Sequence, residues 1–114
     1  MKPVDYEVAT DPRLDAVFAA LADPTRRGIL ARLVRGEASV KELAAPLDIS
    51  QPAVSKHLKV LERAGLVERR VDGTRRPVRL RPDPLAEATA WLERYRALWE
   101  ARFDQLDDLL KDLT

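Results

Sequence analysis

Cysteine is absent from this chain of 114 residues, and histidine occurs once, as His57. The lack of cysteine excludes disulfide bonds, thiolate metal sites and thiol redox chemistry. A single histidine cannot complete a zinc site, because such sites take three or four protein ligands. The sequence therefore predicts no metal site and no cofactor.

Long hydrophobic runs are also missing. The longest clean apolar run covers residues 17–22 and is far too short to span a bilayer. Residues 1–10 contain no apolar core of a signal peptide. We therefore expect a cytoplasmic protein without a membrane partner. By its length, the chain should form a flexible N-terminal arm at residues 1–10 and a single domain at residues 11–114.

Glycine is scarce, and its positions argue against an enzyme. The four glycines are isolated from one another and are interpreted as helix packing, helix ends or a turn, so the chain has no phosphate-binding loop. There is no cysteine nucleophile. The Asp107-Asp108 pair lies on a charged helix end, where solvation is the ordinary interpretation. We predict that the protein is not an enzyme.

Charge is distributed unevenly along the chain. Residues 50–81 carry nine Lys/Arg and three Asp/Glu, a net charge of +6, while residues 1–49 carry −1 and residues 82–114 carry −4. The net charge of +1 thus conceals a basic middle between two acidic flanks. A basic patch confined to one segment is typical of a surface that meets a polyanion.

Three Asp-Pro pairs predict three helix starts, with Asp as the cap and Pro at the first helical position. They lie at residues 11–12, 23–24 and 83–84. The apolar spacing after the first two pairs predicts inward faces formed by Leu14, Val17, Phe18 and Leu21 and by Ile29, Leu30, Leu33 and Val34. Gly36 should stop the second helix.

Two shorter helices are predicted between these. Ser39 and Glu42 form a capping box, and Pro46 should end that helix early, before a tight turn at Asp48. Ser50 caps the next helix, Gly65 ends it, and its inward stripe is Val54, Leu58 and Leu61.

A β-hairpin should follow. Residues 66–71 predict a strand, Asp72-Gly73 predicts a turn, and in the return strand Val78 and Leu80 face inward while arginines face outward. The predicted fold is mainly α with a small β-hairpin, a winged helix-turn-helix in the order α-α-α-α-β-β-α.

This arrangement favours binding of double-stranded DNA. The second helix of a helix-turn-helix fits the major groove, short polar residues at its start reach base edges, and a basic hairpin can reach phosphate or the minor groove. The predicted DNA-binding residues are Ser50, Gln51, Pro52, Ser55, Lys56, His57, Lys59, Arg75 and Arg76. For His57, packing at the helix edge or contact with DNA is favoured over a metal ligand or a proton switch, because one histidine cannot build a metal site. For Arg69 and Arg81, a solvated strand face is the alternative to DNA contact.

The motifs at residues 23–30 (DPTRRGIL), 50–61 (SQPAVSKHLKVL) and 64–73 (AGLVERRVDG) occur in the order found in one family. Through them the chain resembles winged helix-turn-helix repressors of the ArsR family. The resemblance implies a homodimer paired through its terminal helices, with DNA contacts from the fourth helix and the wing. Residues 37–43 lack the Cys-x-Cys motif of metal-sensing relatives, and the last helix has no histidine. The chain therefore resembles the subgroup without metal-binding cysteines, and its inducer is undetermined.

An apolar stripe on the last helix predicts the dimer interface, because a helix of about thirty residues is too long to bury within one small domain. The predicted interface residues are Leu14, Phe18, Leu92, Tyr95, Trp99, Phe103, Leu106 and Leu110. Trp91 and Leu98 lie off the main line and widen the apolar face. Two alternatives to a DNA-binding repressor remain: a winged-helix module that binds protein, and a sensor with a small-molecule pocket between the terminal helices.

Overall fold

A computed structural model describes residues 11–113, so the predicted arm at residues 1–10 lies outside the described residues. The described part contains five helices and two strands. They are α1 (Pro12–Leu21), α2 (Pro24–Val34), α3 (Val40–Leu47), α4 (Gln51–Arg63), β1 (Val67–Arg69), β2 (Val78–Leu80) and α5 (Asp83–Leu113). The predicted order of elements is confirmed.

Two of the three Asp-Pro pairs start helices as predicted. The Asp11 carboxylate accepts hydrogen bonds from two backbone N–H groups of α1, and that of Asp23 accepts the N–H of Arg26 at 3.0 Å. The third pair is displaced by one residue. Asp83 is the first residue of α5, and the carbonyl of Pro82 accepts the first helical N–H, that of Ala86, at 3.0 Å. The prediction of Asp83 as the cap was therefore wrong.

The end of α3 also differs from the prediction. The capping box of Ser39 and Glu42 is present, but the helix continues through Pro46 to Leu47. Proline forfeits only one backbone hydrogen bond here, since it lies in the last turn. The helix ends at Asp48, whose φ of 55° is left-handed and turns the chain toward α4.

The core is formed by the apolar sides of the first four helices and the hairpin, together with the start of α5. The side chains of Ile29, Val54, Leu58, Leu61, Leu66 and Val78 have no exposed surface. Val34 was predicted to face inward, but 71% of it is exposed. At 3.6 residues per turn it lies at the edge of the arc centred on Ile29 and Leu33, past the buried line.

Two arginines of the DPTRR motif tie α2 to the end of α1. Arg26 donates from Nε to the carbonyl of Ala20 at 2.8 Å and from Nη2 to that of Ala19 at 3.1 Å. Arg27 donates from Nη1 to the carbonyl of Leu21 at 2.7 Å. The last carbonyls of a helix tend to lack intrahelical partners. The arginines supply donors to those of Ala20 and Leu21 and a second donor to that of Ala19, which also accepts the Ala22 N–H. The motif thus fixes the corner between the two helices.

The hairpin is shorter than predicted. β1 and β2 pair antiparallel, with Glu68 opposite Arg79, but the regular ladder ends at Arg69 instead of residue 71. Arg70 still donates its N–H to the carbonyl of Pro77 at 2.9 Å. Proline has no N–H to return that bond, so the ladder cannot continue regularly. Val78 also exchanges two backbone hydrogen bonds with Ala38, which joins the wing to the segment before α3.

Arg26→Ala should lower the free energy of unfolding by about 1–3 kcal/mol, because the partly buried hydrogen bond to the Ala20 carbonyl is lost together with the exposed one to Ala19. Urea denaturation followed by circular dichroism measures this. Arg35→Ala removes the same charge from the exposed end of α2 and should change stability by less than about 0.5 kcal/mol. Equal losses in the two variants would contradict the structural role of Arg26.

The stability of the folded protein at acidic pH should depend on Asp23. Its pKa lies below the ordinary value, first because the carboxylate accepts the Arg26 N–H and then because Arg26 and His57 are nearby. Ionised Asp23 therefore stabilises the folded protein fully above pH ~3.9, the pKa of an aspartate in the unfolded chain. This stabilisation is lost as the pH falls toward the lower pKa of Asp23 in the folded protein. Asp23→Asn keeps a capping oxygen without the charge. Its stability difference from the unmodified protein, measured by urea denaturation at several pH values, should shrink below pH ~4; a constant difference would contradict this assignment.

Candidate nucleic-acid interface

Helix α4 presents a polar face because its other face is completely buried. Val54, Leu58 and Leu61 have no exposed surface and anchor the helix in the core. Pro52, Lys56 and Lys59 are exposed on the opposite side. Gln51 is exposed at the first turn, and Ser55, one turn further on the same line, is half-buried. The structure thus brings the predicted helix residues onto one accessible surface.

The N-terminal end of α4 is capped by Ser50. Its hydroxyl oxygen accepts the N–H of Ala53 at 3.2 Å, so Ser50 orders the first turn of the helix as well as being exposed there. Gln51 and Pro52 are the first two helical residues. This exposed end is the part of the helix that can approach a base edge or a phosphate most closely.

His57 occupies a different environment from its neighbours Lys56 and Lys59. It is half-buried, and its Nδ1 lies 3.8 Å from Oδ2 of Asp23 at the start of α2. The structure therefore places His57 at the packed edge between α4 and α2. This position agrees with the packing alternative, and a role of His57 at DNA stays a prediction.

Most arginines of the hairpin are engaged in ion pairs within the chain. Arg69 pairs with Glu62 at 2.9 Å, Arg70 pairs with Glu37 at 3.4 Å, and Arg79 and Arg81 both pair with Glu68. The sequence indicated a strongly basic wing. Because Glu37, Glu62 and Glu68 pair with four of the wing arginines, fewer cations remain available to bind an external polyanion.

The two arginines past the hairpin tip differ from each other. Both are exposed, and within residues 11–113 neither makes a salt bridge. Arg75 lies near Glu42, whose pKa is lowered mainly by hydrogen bonds with Ser39 and further by the charges of Arg32 and Arg75. Arg76 has no such acidic neighbour among the described residues. Arg76 is therefore the more available cation of the pair.

The predicted dimer residues lie on a second surface, formed by α1 and α5. Leu14 and Phe18 are half-buried against the core. The α5 residues are 45–58% exposed; they are Leu92, Tyr95, Trp99, Phe103, Leu106 and Leu110. A continuous apolar surface of this kind on a single chain marks an interaction site.

Trp91 lies beside the main line of this surface and widens it, as its position in the sequence predicts. Its ring lies 5.8 Å from that of Phe18 and 5.3 Å from that of Tyr95, and the series of ring contacts continues through Trp99 to Phe103. We call these five residues the aromatic ladder. Four of them are spaced four apart in the sequence, so their rings follow one side of α5.

A cleft of about 930 Å³ opens between the starts of the two terminal helices, α1 and α5, and the end of α4. Its lining mixes apolar and charged side chains, among them Leu14, Val17, Arg63, Val67 and Trp91. This is the location that the small-molecule alternative requires.

Residues 11–113 contain neither a cluster of metal ligands nor a membrane-spanning helix. No group of three His, Asp or Glu in that range is arranged to hold a metal ion. Each helix of the same range is too short or too polar to cross a bilayer. The predictions of no metal site and no cofactor stay predictions.

Known proteins are similar to this chain in both sequence and fold. A helix-turn-helix domain family matches residues 21–70. The HTH-type transcriptional regulator Rv2034 of Mycobacterium tuberculosis is 51% identical over 81 residues, covering 71% of this chain and 76% of that protein. A crystallised ArsR family transcriptional regulator is 42% identical with a TM-score of 0.71, covering 77% of this chain and 97% of the other.

A third relative bears on assembly. The homodimeric winged helix-turn-helix DNA-binding domain of a possible ArsR-family regulator from Mycobacterium bovis is 30% identical with a TM-score of 0.61. The match covers 75% of this chain and 79% of that one. These neighbours confirm the predicted fold class.

Arg76→Ala should weaken binding to duplex DNA and flatten the dependence of log affinity on log salt by about 0.9 unit for each bound copy of the chain, the value for one phosphate contact. Arg79→Ala removes the same charge from a pair with Glu68 and should leave the slope nearly unchanged. Salt titrations of DNA affinity compare the two variants. Equal slopes in both would mean that the unpaired arginine is not the phosphate contact.

Proposed function

Because the chain belongs to the ArsR family of winged helix-turn-helix transcriptional regulators, we propose that it is a dimeric cytoplasmic repressor that binds a palindromic DNA operator through α4 and the wing. The observation that carries this proposal is the buried stripe of α4, which leaves Gln51, Lys56 and Lys59 exposed together. The family and fold are those of DNA-binding regulators and not of enzymes.

Base recognition in this proposal falls to the start of α4. Gln51 is exposed in the first helical turn, and its amide can donate to and accept from one base edge. Ser55 lies one turn further along the same helix. Both side chains are short enough to act inside the major groove while the helix backbone lies close to it.

Phosphate binding falls to the cations without carboxylate partners. Lys56, Lys59 and Arg76 are exposed and form no salt bridge within the described residues. Phosphate contacts hold a protein in register on the duplex and supply most of its salt-dependent affinity. Arg75 contributes less in this account, because Glu42 is near it.

Dimerisation is assigned to the aromatic ladder and the leucines beyond it. The exposed apolar residues of α5 extend to Leu113, far from the contacts that α5 makes with α1 at Phe18 and Trp91. A second copy would cover this surface, and two copies related by a two-fold axis present two α4 helices to a palindromic site. The homodimeric relative from Mycobacterium bovis supports the same assembly.

The cleft at the starts of α1 and α5 favours one secondary function, regulation by a small molecule. It adjoins the last turn of α4 through Glu62 and Arg63, so an occupant could alter the DNA-binding surface. Thermal shift measurements with a panel of small molecules test this function. Duplex binding that is strongly salt-dependent and sequence-selective would distinguish the DNA-binding proposal from a protein-interaction module.

Selection of bound duplexes from a random pool tests the main proposal. The purified protein should enrich a palindromic sequence whose half-sites are separated by about one helical turn or somewhat more. Failure to enrich any sequence, with the protein folded and dimeric, would contradict sequence-specific binding.

Gln51→Ala should weaken binding to the selected duplex by about 1–3 kcal/mol and should change binding to random DNA little, because a base contact is lost. Lys59→Ala is the contrasting variant, since loss of a phosphate contact should weaken binding to both duplexes alike. Competition binding assays measure both. If Gln51→Ala weakened the two complexes equally, Gln51 would be reassigned to phosphate binding.

Leu106→Asp should impair dimerisation without unfolding the single chain, in which Leu106 is already 52% exposed. Each copy of the chain loses the burial of one leucine side chain, worth about 1.5 kcal/mol. The dimer should therefore be weakened by about 3 kcal/mol, or roughly a hundredfold in its dissociation constant. Ala97→Asp, on the charged side of α5, is the matched control and should stay dimeric. Sedimentation equilibrium distinguishes these results, and an unmodified protein that is monomeric at micromolar concentration would refute the assignment.

A further inference from the structure

Arg69 connects the wing directly to helix α4. It is the last residue of β1, and its Nε donates to Oε1 of Glu62 at 2.9 Å. Its Nη2 donates to the backbone carbonyl of Ser55 at 3.4 Å. Ser55 and Glu62 are seven residues apart, about two turns, so both residues lie on the same side of α4, and one arginine bonds to both. One guanidinium therefore spans the side of α4 that faces the hairpin.

No other salt bridge of the hairpin arginines, within residues 11–113, reaches α4. Arg70 pairs with Glu37, which precedes α3, while Arg79 and Arg81 pair with Glu68 of β1. Those pairs hold the wing to the segment before α3 or hold its two strands together. The Arg69–Glu62 pair is also among the less exposed, at 30% and 35% of the two side chains. Such a pair loses less of its strength to solvent than a fully exposed one.

We propose that Arg69 is a positioning residue for DNA recognition, which sets the distance and angle between the wing and α4 through Glu62 and the Ser55 carbonyl. This inference rests on the proposed function. Gln51 and Ser55 can reach base edges while Arg76 reaches a phosphate only if the two elements are held at one spacing. A contact surface fixed in advance loses less conformational entropy on binding.

A positioning role and a direct phosphate contact predict different consequences for specificity. A phosphate contact contributes to every duplex, so its loss weakens specific and random binding together. A residue that aligns base-reading side chains contributes only where bases are read. The ratio of specific to random affinity therefore separates the two roles, and overall stability does not affect that ratio.

The first experiment measures this ratio for Arg69→Ala, Arg69→Lys and Arg79→Ala, on the duplex selected from a random pool and on a random duplex of equal length. Both Arg69 variants should lower the ratio about fivefold to tenfold, because lysine keeps the charge but cannot span two acceptors. Arg79→Ala removes an equal charge from the same hairpin without touching α4 and should leave the ratio within about twofold. A ratio preserved in both Arg69 variants would overturn the inference.

The second experiment uses Glu62→Ala, which releases Arg69 without removing any cation. The substitution introduces the best helix-forming residue at a half-buried helix position, so the fold should be retained. If Glu62 holds Arg69 in position, this variant should have a lower ratio of specific to random affinity, even though the chain becomes more positive. If Arg69 instead binds phosphate when released, affinity for both duplexes should rise and the ratio should stay constant, which would overturn the proposal.

These outcomes separate the inference from the function on which it rests. An unmodified protein that prefers no sequence would overturn both the inference and the proposed function. A sequence preference that is unaffected in the Arg69 and Glu62 variants would overturn the inference alone, leaving the repressor proposal in place.

Discussion

Burial of Val54, Leu58 and Leu61 is the constraint on which the rest of this structure depends. These three side chains have no exposed surface, and their spacing allows α4 only one orientation in the core. Lys56 and Lys59 must then face outward, and Gln51 is exposed because it is the first residue of the helix. The Asp48 turn, the Ser50 cap and Gly65 with its φ of 75° fix where α4 begins and ends. The polar surface of the helix is thus a consequence of its apolar side.

Charge pairing decides which basic side chains remain available on that surface. Glu37, Glu62 and Glu68 bind four of the hairpin arginines, so these arginines mainly stabilise the wing and hold it in place. Arg76 and the α4 lysines are left as the cations suited to phosphate. The formal charge of the segment therefore overstates its attraction for a polyanion, while the paired arginines supply the geometry that recognition needs. On the second surface, along α5, the ion pairs join residues outside the apolar stripe. The stripe itself is apolar and exposed, as the contact surface for a second copy of the chain should be.

Local signals predicted most of the fold, and two of the errors, at the start of α5 and the end of α3, are shifts of one residue in a helix boundary. The Asp11, Asp23 and Ser50 caps, the capping box at Ser39 and the inward stripe of α4 follow from short-range chemistry, and the structure has all of them. The exposure of Val34 and the short ladder at Pro77 depend on tertiary neighbours and on backbone donors across the hairpin. The ion pairs could not be read from the sequence, because Arg70 and Glu37 are far apart in the chain and nothing local joins them. The contact of Trp91 with Phe18 could not be read from the sequence either, because it joins helices from opposite ends of the chain.

Footprinting on the selected duplex tests the central claim most directly, namely that two copies of α4 and the wing bind one palindromic site. Methylation of guanine N7 reports contacts in the major groove, and hydroxyl-radical cleavage reports contacts along the backbone. The account predicts two protected major-groove patches on one face of the duplex, about one helical turn or somewhat more apart, each flanked by backbone protection from a wing. A single protected patch, or uniform protection without accessible bases between two half-sites, would contradict it.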